Sequence, residues 1–485
     1  MPEASSRLTV VADLPSPDPR KVAAHNFRSL NGSVLATNDA GEHAVLSEAD
    51  YRRYVGGQLR DEEPIAVELG RKNFLRDHLD FRGQAERLAG KRLLSWKGPN
   101  VHTVVVTRRC NFRCLYCHAS VVDPSRYEAD MTLETARRTV DLIFSSPSPT
   151  LMIEFQGGEP LLNWPVVEFI ARYARKKNEV HRKVLHFGLI SNFSLLDDGK
   201  MDFLIEHGVS FCTSLDGPED LHNKNRLFLG GNGHAQTVSR LKALTARRAA
   251  GAQIDSPNAI CTVTRFSLTR AEEIVDQVVA LGLQRVQVGP LDPIGFARKS
   301  WDTIGYSPRE FVEFYGRVLD RLIALNRDGV KVYEKMALIF LIRILEGGHW
   351  RFPNADGVCR LAYNHDGAVY TCEEGRLLAN AGDEFFRIGH VDVSSYADLL
   401  GHPTVRTSLL AASPTHQPQC SQCAYNPYCS VLPVYNHQTQ GSLWGRMPEN
   451  DWCEKMMGLF DLIFTRLQRP EDRKILESWL EHKDR

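Results

Sequence analysis

Cys110, Cys114 and Cys117 form a C-x3-C-x2-C pattern directly after the apolar run VHTVVVT, in a chain of 485 residues with only 11 cysteines. Three thiolates on one tight loop can each hold one iron of a [4Fe-4S] cluster, which leaves the fourth iron without a protein ligand and open to chemistry. The plain alternative is a zinc loop or a set of buried thiols. Zinc motifs usually pair C-x2-C units, however, and core cysteines do not bunch on a loop. Six more cysteines lie downstream, at Cys359, Cys372, Cys420, Cys423, Cys429 and Cys453. Taken alone, the C-x2-C-x5-C over 420–429 suits zinc and iron-sulfur equally. Cys212 and Cys261 fall inside β-rich runs and read as small core residues.

The elements that must position the first loop are legible as a repeating pattern. Short β-rich runs (VHTVVVT, TLMIEFQG, KVLHFGLIS, VSFCTSLDG, NAICTVTRF, RVQVGPL) alternate with amphipathic helical runs such as LETARRTVDLIF, VVEFIARYARKKN and AEEIVDQVVALG. Six βα units in a row predict a parallel sheet with helices outside, because parallel neighbours need a crossover. Functional residues then belong at the carboxyl ends of the strands. Polar motifs fall there: Gln156-Gly157-Gly158-Glu159-Pro160 after the second strand, Ser191 and Asn192 after the third, and SLDGPEDLHNKNR, with Ser214, Asp216 and Arg226, after the fourth. Singly, each has a bland reading: a turn for the GGEP, a helix N-cap for Asn192, solvated surface for Arg226.

On either side of this core the pattern changes. FRSLNGSVLATNDAGEHAVLS reads as short strands turning at Asn31-Gly32 and between Asn38 and Gly41, and Ser47 then caps a helix that ends at Gly56-Gly57. After the helix KVYEKMALIFLIRILEG comes a turn-rich region, about 350–455, that no hydrophobic pattern organises and whose order is expected to come from metal. The 59 basic and 59 acidic residues cancel, so no global field recruits nucleic acid or anionic membrane. No stretch has signal-peptide or membrane-span character, and sparse, clustered cysteines fit metal ligation in a reducing compartment, so a cytoplasmic protein is expected.

The cysteine spacing, with Tyr116 just before the third thiol, resembles the signature of radical S-adenosylmethionine (SAM) enzymes. That resemblance implies a partial (β/α)6 TIM-like barrel in which an electron enters the cluster, SAM is cleaved to methionine and a 5'-deoxyadenosyl radical, and the radical abstracts hydrogen from a substrate. It further implies that Gln156, Gly157, Gly158 and Glu159 approach the methionine amino group and that Ser191 and Asn192 suit the ribose and carboxylate. Ser214 and Arg226 would contact SAM, Arg226 as a planar fork on its carboxylate, with Asp216 orienting the loop. Cys359, Gly367 with Cys372, the triplet 420–429 and Cys453 resemble the SPASM domain, which holds auxiliary iron-sulfur clusters. The resemblance assigns Cys420, Cys423, Cys429 and Cys453 to a distal cluster. Where the family pattern has one further cysteine this chain has Pro433, so the nearer cluster keeps only Cys359 and Cys372. It either draws other ligands, such as His365 or His437, or is incomplete or absent. Glu373, directly after Cys372, occupies the position of the proton-accepting base in related sulfatase-maturing enzymes; a solvated loop carboxylate is its bland reading.

Longer stretches, SWKGPNVHTVVVTRRCNFRCLYCHAS and SSPSPTLMIEFQGGEPLLNW among them, look like the His-Xaa-Ser system radical SAM maturases. That likeness implies a ribosomally made precursor peptide, a companion maturase, an electron donor such as flavodoxin or ferredoxin, and a crosslink or oxidised side chain as product. A formylglycine-type sulfatase maturase is the alternative, and a non-catalytic iron-sulfur electron carrier a more distant one. The expected division is an N-terminal module at 1–95, winged-helix-like and able to bind a leader peptide as an added strand; a barrel at 96–335; a SPASM-like domain at 336–460; and a C-terminal helix at 461–485.

Overall fold

The computed structural model describes residues 16–92, 97–117, 119, 121–347 and 356–483. The expected boundary at 95/96 and the start of the turn-rich region at 350 fall outside these residues.

The N-terminal module holds β1 (Asn26–Leu30), β2 (Ser33–Thr37) and β3 (His43–Ser47), followed by α1 (Glu48–Val55), α2 (Pro64–Arg71) and α3 (Phe81–Arg92). β1 turns into β2 through Asn31 and Gly32, both at positive φ, and the Ser47 side chain accepts from the Asp50 amide to start α1. β2 lies between β1 and β3, both antiparallel to it. One face of this sheet (Val34, Ala36, Ala44, Leu46) packs on Tyr51, Tyr54, Leu69 and Phe74. Leu30, Leu35 and Val45 instead join the main core.

The barrel runs β4 (Val101–Thr107), β5 (Phe112–Cys114), α4 (Leu133–Phe144), β6 (Thr150–Gly157), α5 (Trp164–His181), β7 (Val184–Ile190), α6 (Asp198–Glu206), β8 (Val209–Ser214), α7 (Glu219–Asn225), β9 (Arg226–Phe228), α8 (Gly233–Ala249), β10 (Asn258–Thr262), α9 (Ala271–Ala280), β11 (Arg285–Gly289), α10 (Trp301–Ile304), α11 (Pro308–Arg327) and β12 (Tyr333–Glu334). Strands β4, β6, β7, β8, β10 and β11 are neighbours in chain order and all parallel, the arrangement the βα repeat predicts. Helices α6 and α7 were not among the predicted ones. Along β6, Leu151, Ile153 and Phe155 are sealed in the core that includes α4 and α5, while Met152, Glu154 and Gln156 are half-buried on the opposite, concave face. Each such core side chain contributes roughly 1.5–3 kcal/mol on burial, so the helix side stabilises the barrel and the concave side can be polar.

The C-terminal part comprises α12 (Lys335–Leu345), β13 (Arg360–Tyr363), β14 (Ala368–Tyr370), α13 (Glu373–Ala379), β15 (Arg387–His390), α14 (Tyr396–Gly401), α15 (Pro403–Ala412), α16 (Pro433–Gln440), α17 (Asp451–Leu467) and α18 (Pro470–Ser478). Backbone pairing orders part of the region whose order was expected from metal. β13 pairs in parallel with β4, and β14 and β15 follow antiparallel, so backbone pairing continues the barrel sheet into it. Helix α17 runs unbroken through the expected boundary at 460/461. Among the described residues no helix is long and apolar enough to cross a membrane.

Candidate active site

The cysteine loop is anchored before it begins. Arg109, 4% exposed at its side chain, places Nε 2.8 Å and Nη2 2.6 Å from the two Asp130 oxygens and donates to the carbonyls of Pro124 and Leu162, each at 2.8 Å. The turn after β6 then lies flat on this segment. Gly158 N donates to Thr107 O at 2.9 Å and Glu159 N to Arg109 O at 2.7 Å. A Cβ on Gly157 would stand 2.3 Å from Thr107 O, and one on Gly158 2.2 Å from Arg109 O. These glycines are therefore required where the GGE turn meets the backbone leading into Cys110.

Beyond Cys110, β5 pairs antiparallel with β9, which sets Arg226 directly opposite Cys114. Phe112 stacks on Phe228 at 4.7 Å, and Leu115 N donates to Asn225 O at 2.9 Å, closing the loop. Burial pushes the Cys114 thiol up to about 12 and the Cys110 thiol well above its usual value. Each is also raised by neighbouring thiols, which places the three sulfurs in one electrostatic neighbourhood.

Two buried polar networks flank the loop. In the first, Asp216 Oδ2 accepts from Tyr116 Oη at 2.7 Å and from Arg226 Nε at 3.1 Å, while its Oδ1 accepts from Thr262 N at 3.1 Å. Arg226 is buried rather than surface-solvated, with its guanidinium 5.1 Å from the Tyr116 ring centre. In the second, the Glu159 carboxylate accepts from Ser191 Oγ (2.7 Å), Asn192 N (2.8 Å) and Leu161 N (3.0 Å). Burial raises Glu159 to about 7. Ser191 Oγ also accepts from Phe193 N, and the Asn192 side chain bonds Asn111 and Ser194. The polar atoms expected to meet SAM at Glu159, Ser191 and Asn192 are thus engaged with one another, and in this structure they fix the strand-end loops. Gln156 and Ser214 end β6 and β8 half-buried.

In the second cysteine field, Cys420, Cys423 and Cys429 come from one loop and Cys453 from the first turn of α17, where its N–H donates to Asn450 Oδ1. Burial raises Cys429, which is raised further by Cys420, Cys453 and Cys423, so the four thiols share one electrostatic neighbourhood, while among the described residues no three ligating side chains stand close enough to hold a single metal ion. Four thiols gathered from two segments fit a cluster in which each iron takes one thiolate. Cys359 and Cys372 sit just outside the two ends of the β13–β14 hairpin, both buried. Beside Cys372, Arg360 donates to Asp356 and, at 2.9 Å, to Glu374. Cys372 itself is fully buried in an apolar cluster with Leu378, Phe386, Val434 and Tyr435. The two histidines have other neighbours. His437 Nε2 bonds Asp383 Oδ2 at 2.7 Å, and His365 has Asp366, Arg108 and Arg376 as its charged neighbours. Glu373 opens α13 and pairs with Arg376, whose side chain is 1% exposed and electrostatically coupled to Cys117. Sequence reasoning missed Arg109, Asp130 and Arg376. Only Arg376 left a signal, its i,i+3 spacing from Glu373 on a helix.

A barrel of six parallel strands with a three-cysteine loop at the carboxyl end of its first strand defines a class of enzyme. The family model of the radical SAM superfamily matches residues 104–248, from β4 into α8. The cysteine-type anaerobic sulfatase-maturating enzyme of Clostridium novyi is 22% identical over 371 residues, covering 74% of this chain and 93% of that one. Among solved structures, native anSMEcpe with bound AdoMet matches with a TM-score of 0.64 at 20% identity over 77% of this chain and 100% of that one. SuiB of Streptococcus suis bound to precursor peptide SuiA matches with a TM-score of 0.54 at 12% identity, over 88% and 98%. Residues 104–248 thus carry a radical SAM domain, and the chain is an enzyme. The three thiols on the loop in that span fit the [4Fe-4S] cluster that such domains hold together with SAM.

Proposed function

We propose that this enzyme is a cytoplasmic maturase that modifies a ribosomally made precursor peptide, installing a crosslink or an oxidised side chain. The observation that carries the reading is the N-terminal sheet. β3 is an edge strand paired only with β2 among the described residues, and such an edge can take up an extended peptide through backbone hydrogen bonds. The opposite edge strand, β1, already sends Asn26, Arg28 and Asn31 into the C-terminal part. The SuiB neighbour was solved with its precursor peptide bound, in keeping with this substrate class.

In this reading Cys110, Cys114 and Cys117 hold the SAM-cleaving cluster and Cys420, Cys423, Cys429 and Cys453 an auxiliary one. When bound, SAM and the first cluster supply reductive C–S cleavage and hydrogen-atom abstraction. The protein does the positioning. Asp216 fixes the Arg226 guanidinium against Tyr116 for the SAM carboxylate, Glu159 locks the loops carrying Ser191 and Asn192, and Gln156 and Ser214 border the concave face. Glu373, held by Arg376, accepts the substrate proton. A flavodoxin or ferredoxin supplies electrons, and a companion maturase completes the system.

A second reading, formylglycine formation on a sulfatase, has equal support in the sulfatase-maturating relative, which this chain matches over nearly its full length. Mass spectrometry separates the two after anaerobic incubation with SAM and dithionite. A His-Xaa-Ser-rich peptide modified with slowed amide exchange over residues 43–47 supports the first reading. Loss of two hydrogens from Cys or Ser of a sulfatase peptide, with the His-Xaa-Ser peptide untouched, overturns it.

A further inference from the structure

The N-terminal module and the segment of the distal cysteines form one contact, through bonds that span 387 or more residues of sequence. Asn26 Nδ2 donates to the carbonyls of Ser421 and Cys423, each at 3.2 Å, and Thr37 Oγ1 donates to Ala424 O at 2.7 Å in a buried bond. Tyr428 Oη reaches back to Gly41 O at 3.0 Å. Between these bonds Arg28 spans to α17, with Nε and Nη2 each 2.7 Å from the Asp461 oxygens and its guanidinium 5.6 Å from the Tyr425 ring centre. Tyr425 Oη donates to the same Asp461, and Tyr425 N lies 3.4 Å from Cys423 Sγ.

We propose that the N-terminal module is a working part of the distal cysteine site, and that the Arg28–Asp461 pair, fixed through Tyr425 beside Cys423, sets the reduction potential of the cluster held there. This rests on the reading that Cys420, Cys423, Cys429 and Cys453 ligate a [4Fe-4S] cluster. The physics is that of a charge near a redox centre in a medium of low dielectric. A cation beside the sulfur stabilises the added electron, an anion opposes it, and potentials respond to local charge and hydrogen bonding. Arg28 and Asp461, a cation and an anion, meet at the side chain of Tyr425, whose backbone N–H lies against Cys423 Sγ. The pair therefore biases the site in two directions that single substitutions can separate.

The test is an anaerobic redox titration followed by electron paramagnetic resonance. It uses the reconstituted full-length protein with Cys110, Cys114 and Cys117 changed to Ala, so that only auxiliary signals remain. Arg28→Gln should shift the midpoint potential down, Asp461→Asn should shift it up, and the double variant should return towards the parent. Arg28→Lys, which keeps the charge and loses the fork, should stay near the parent. Loss of iron from Arg28→Gln with retention in Arg28→Lys would also support the proposal. Equal potentials in the Gln and Lys variants would overturn it. If Cys420→Ala with Cys423→Ala leaves the iron content of the parent unchanged, the ligand assignment itself fails, and the inference falls with it.

Discussion

Arg376 grips both oxygens of Glu373, with Nη2 2.6 Å from Oε1 and Nε 3.0 Å from Oε2. Neither side chain can turn without breaking two charge-assisted bonds. The carboxylate is thereby held on the first turn of α13, whose C-terminal end reaches the cysteine loop through Asn380 Nδ2, which donates to Ala119 O at 3.2 Å.

Glu373→Gln should therefore lower peptide modification by about 10²–10⁴-fold, the usual range for a general base, while 5'-deoxyadenosine still forms without coupling. Arg376→Lys should lose less, because the charge stays and only the bidentate geometry goes. Liquid chromatography of deoxyadenosine and modified peptide in parallel reads both. A Glu373→Gln enzyme with unchanged product yield would remove Glu373 from the mechanism.

Changing Cys110, Cys114 and Cys117 to Ala should abolish 5'-deoxyadenosine formation under dithionite and leave the downstream iron in place. The two cysteine fields hang on different elements, the first on β4 and β5, the second on α17 and the loop 420–429. Persistent SAM cleavage by that variant would contradict the assignment.

Iron analysis should give about eight irons and eight sulfides per chain in the wild type, four for each of two clusters, and about four in the triple variant. Cys359→Ala with Cys372→Ala should change neither figure, because Cys372 is sealed in an apolar cluster beside Arg360, itself paired with Asp356 and Glu374. A wild-type content near twelve that falls by four in this double variant would show a nearer cluster after all.

Stability should fall as pH rises between about 4.5 and 7. Glu334 caps α12, accepting from Ala337 N at 2.7 Å and from Tyr315, and is fully buried. Burial raises its carboxyl from 4.5 to about 7. Across that window the unfolded chain has released a proton that the folded chain keeps, so the free energy of unfolding drops by about 3 kcal/mol for this group and levels off above pH 7. Glu159, raised to about 7 in the same way, adds a similar slope. Glu334→Gln should remove roughly half of the combined effect, read as a flatter dependence of the urea midpoint on pH. An unaltered slope would refute the assignment.

The six barrel strands were legible because each is a short β-rich run with apolar core-facing positions, set off from the next by helix or turn signals, and strand order followed from the repeat. Asn31-Gly32 and Ser47 marked the N-terminal turn and cap just as directly, since both depend on chemistry local to a few residues. What stayed hidden depends on long-range pairing. Nothing in RLAY announces a strand parallel to VHTVVVT some 260 residues earlier, and nothing in Asn26 or Arg28 points to Cys423 or Asp461. The three protein donors on Glu159 stayed hidden for a related reason, since two of them come from Ser191 and Asn192 on another strand-end loop.

The pairing of Arg360 with Val101 and of Tyr363 with Val104 has one more consequence. The strand that launches the first cysteine loop is the same strand to which the C-terminal hairpin is stitched. Helix α13 follows directly from that hairpin, so the segment carrying Glu373 and Arg376 is tied to the cysteine loop through continuous backbone pairing and not through side-chain docking alone.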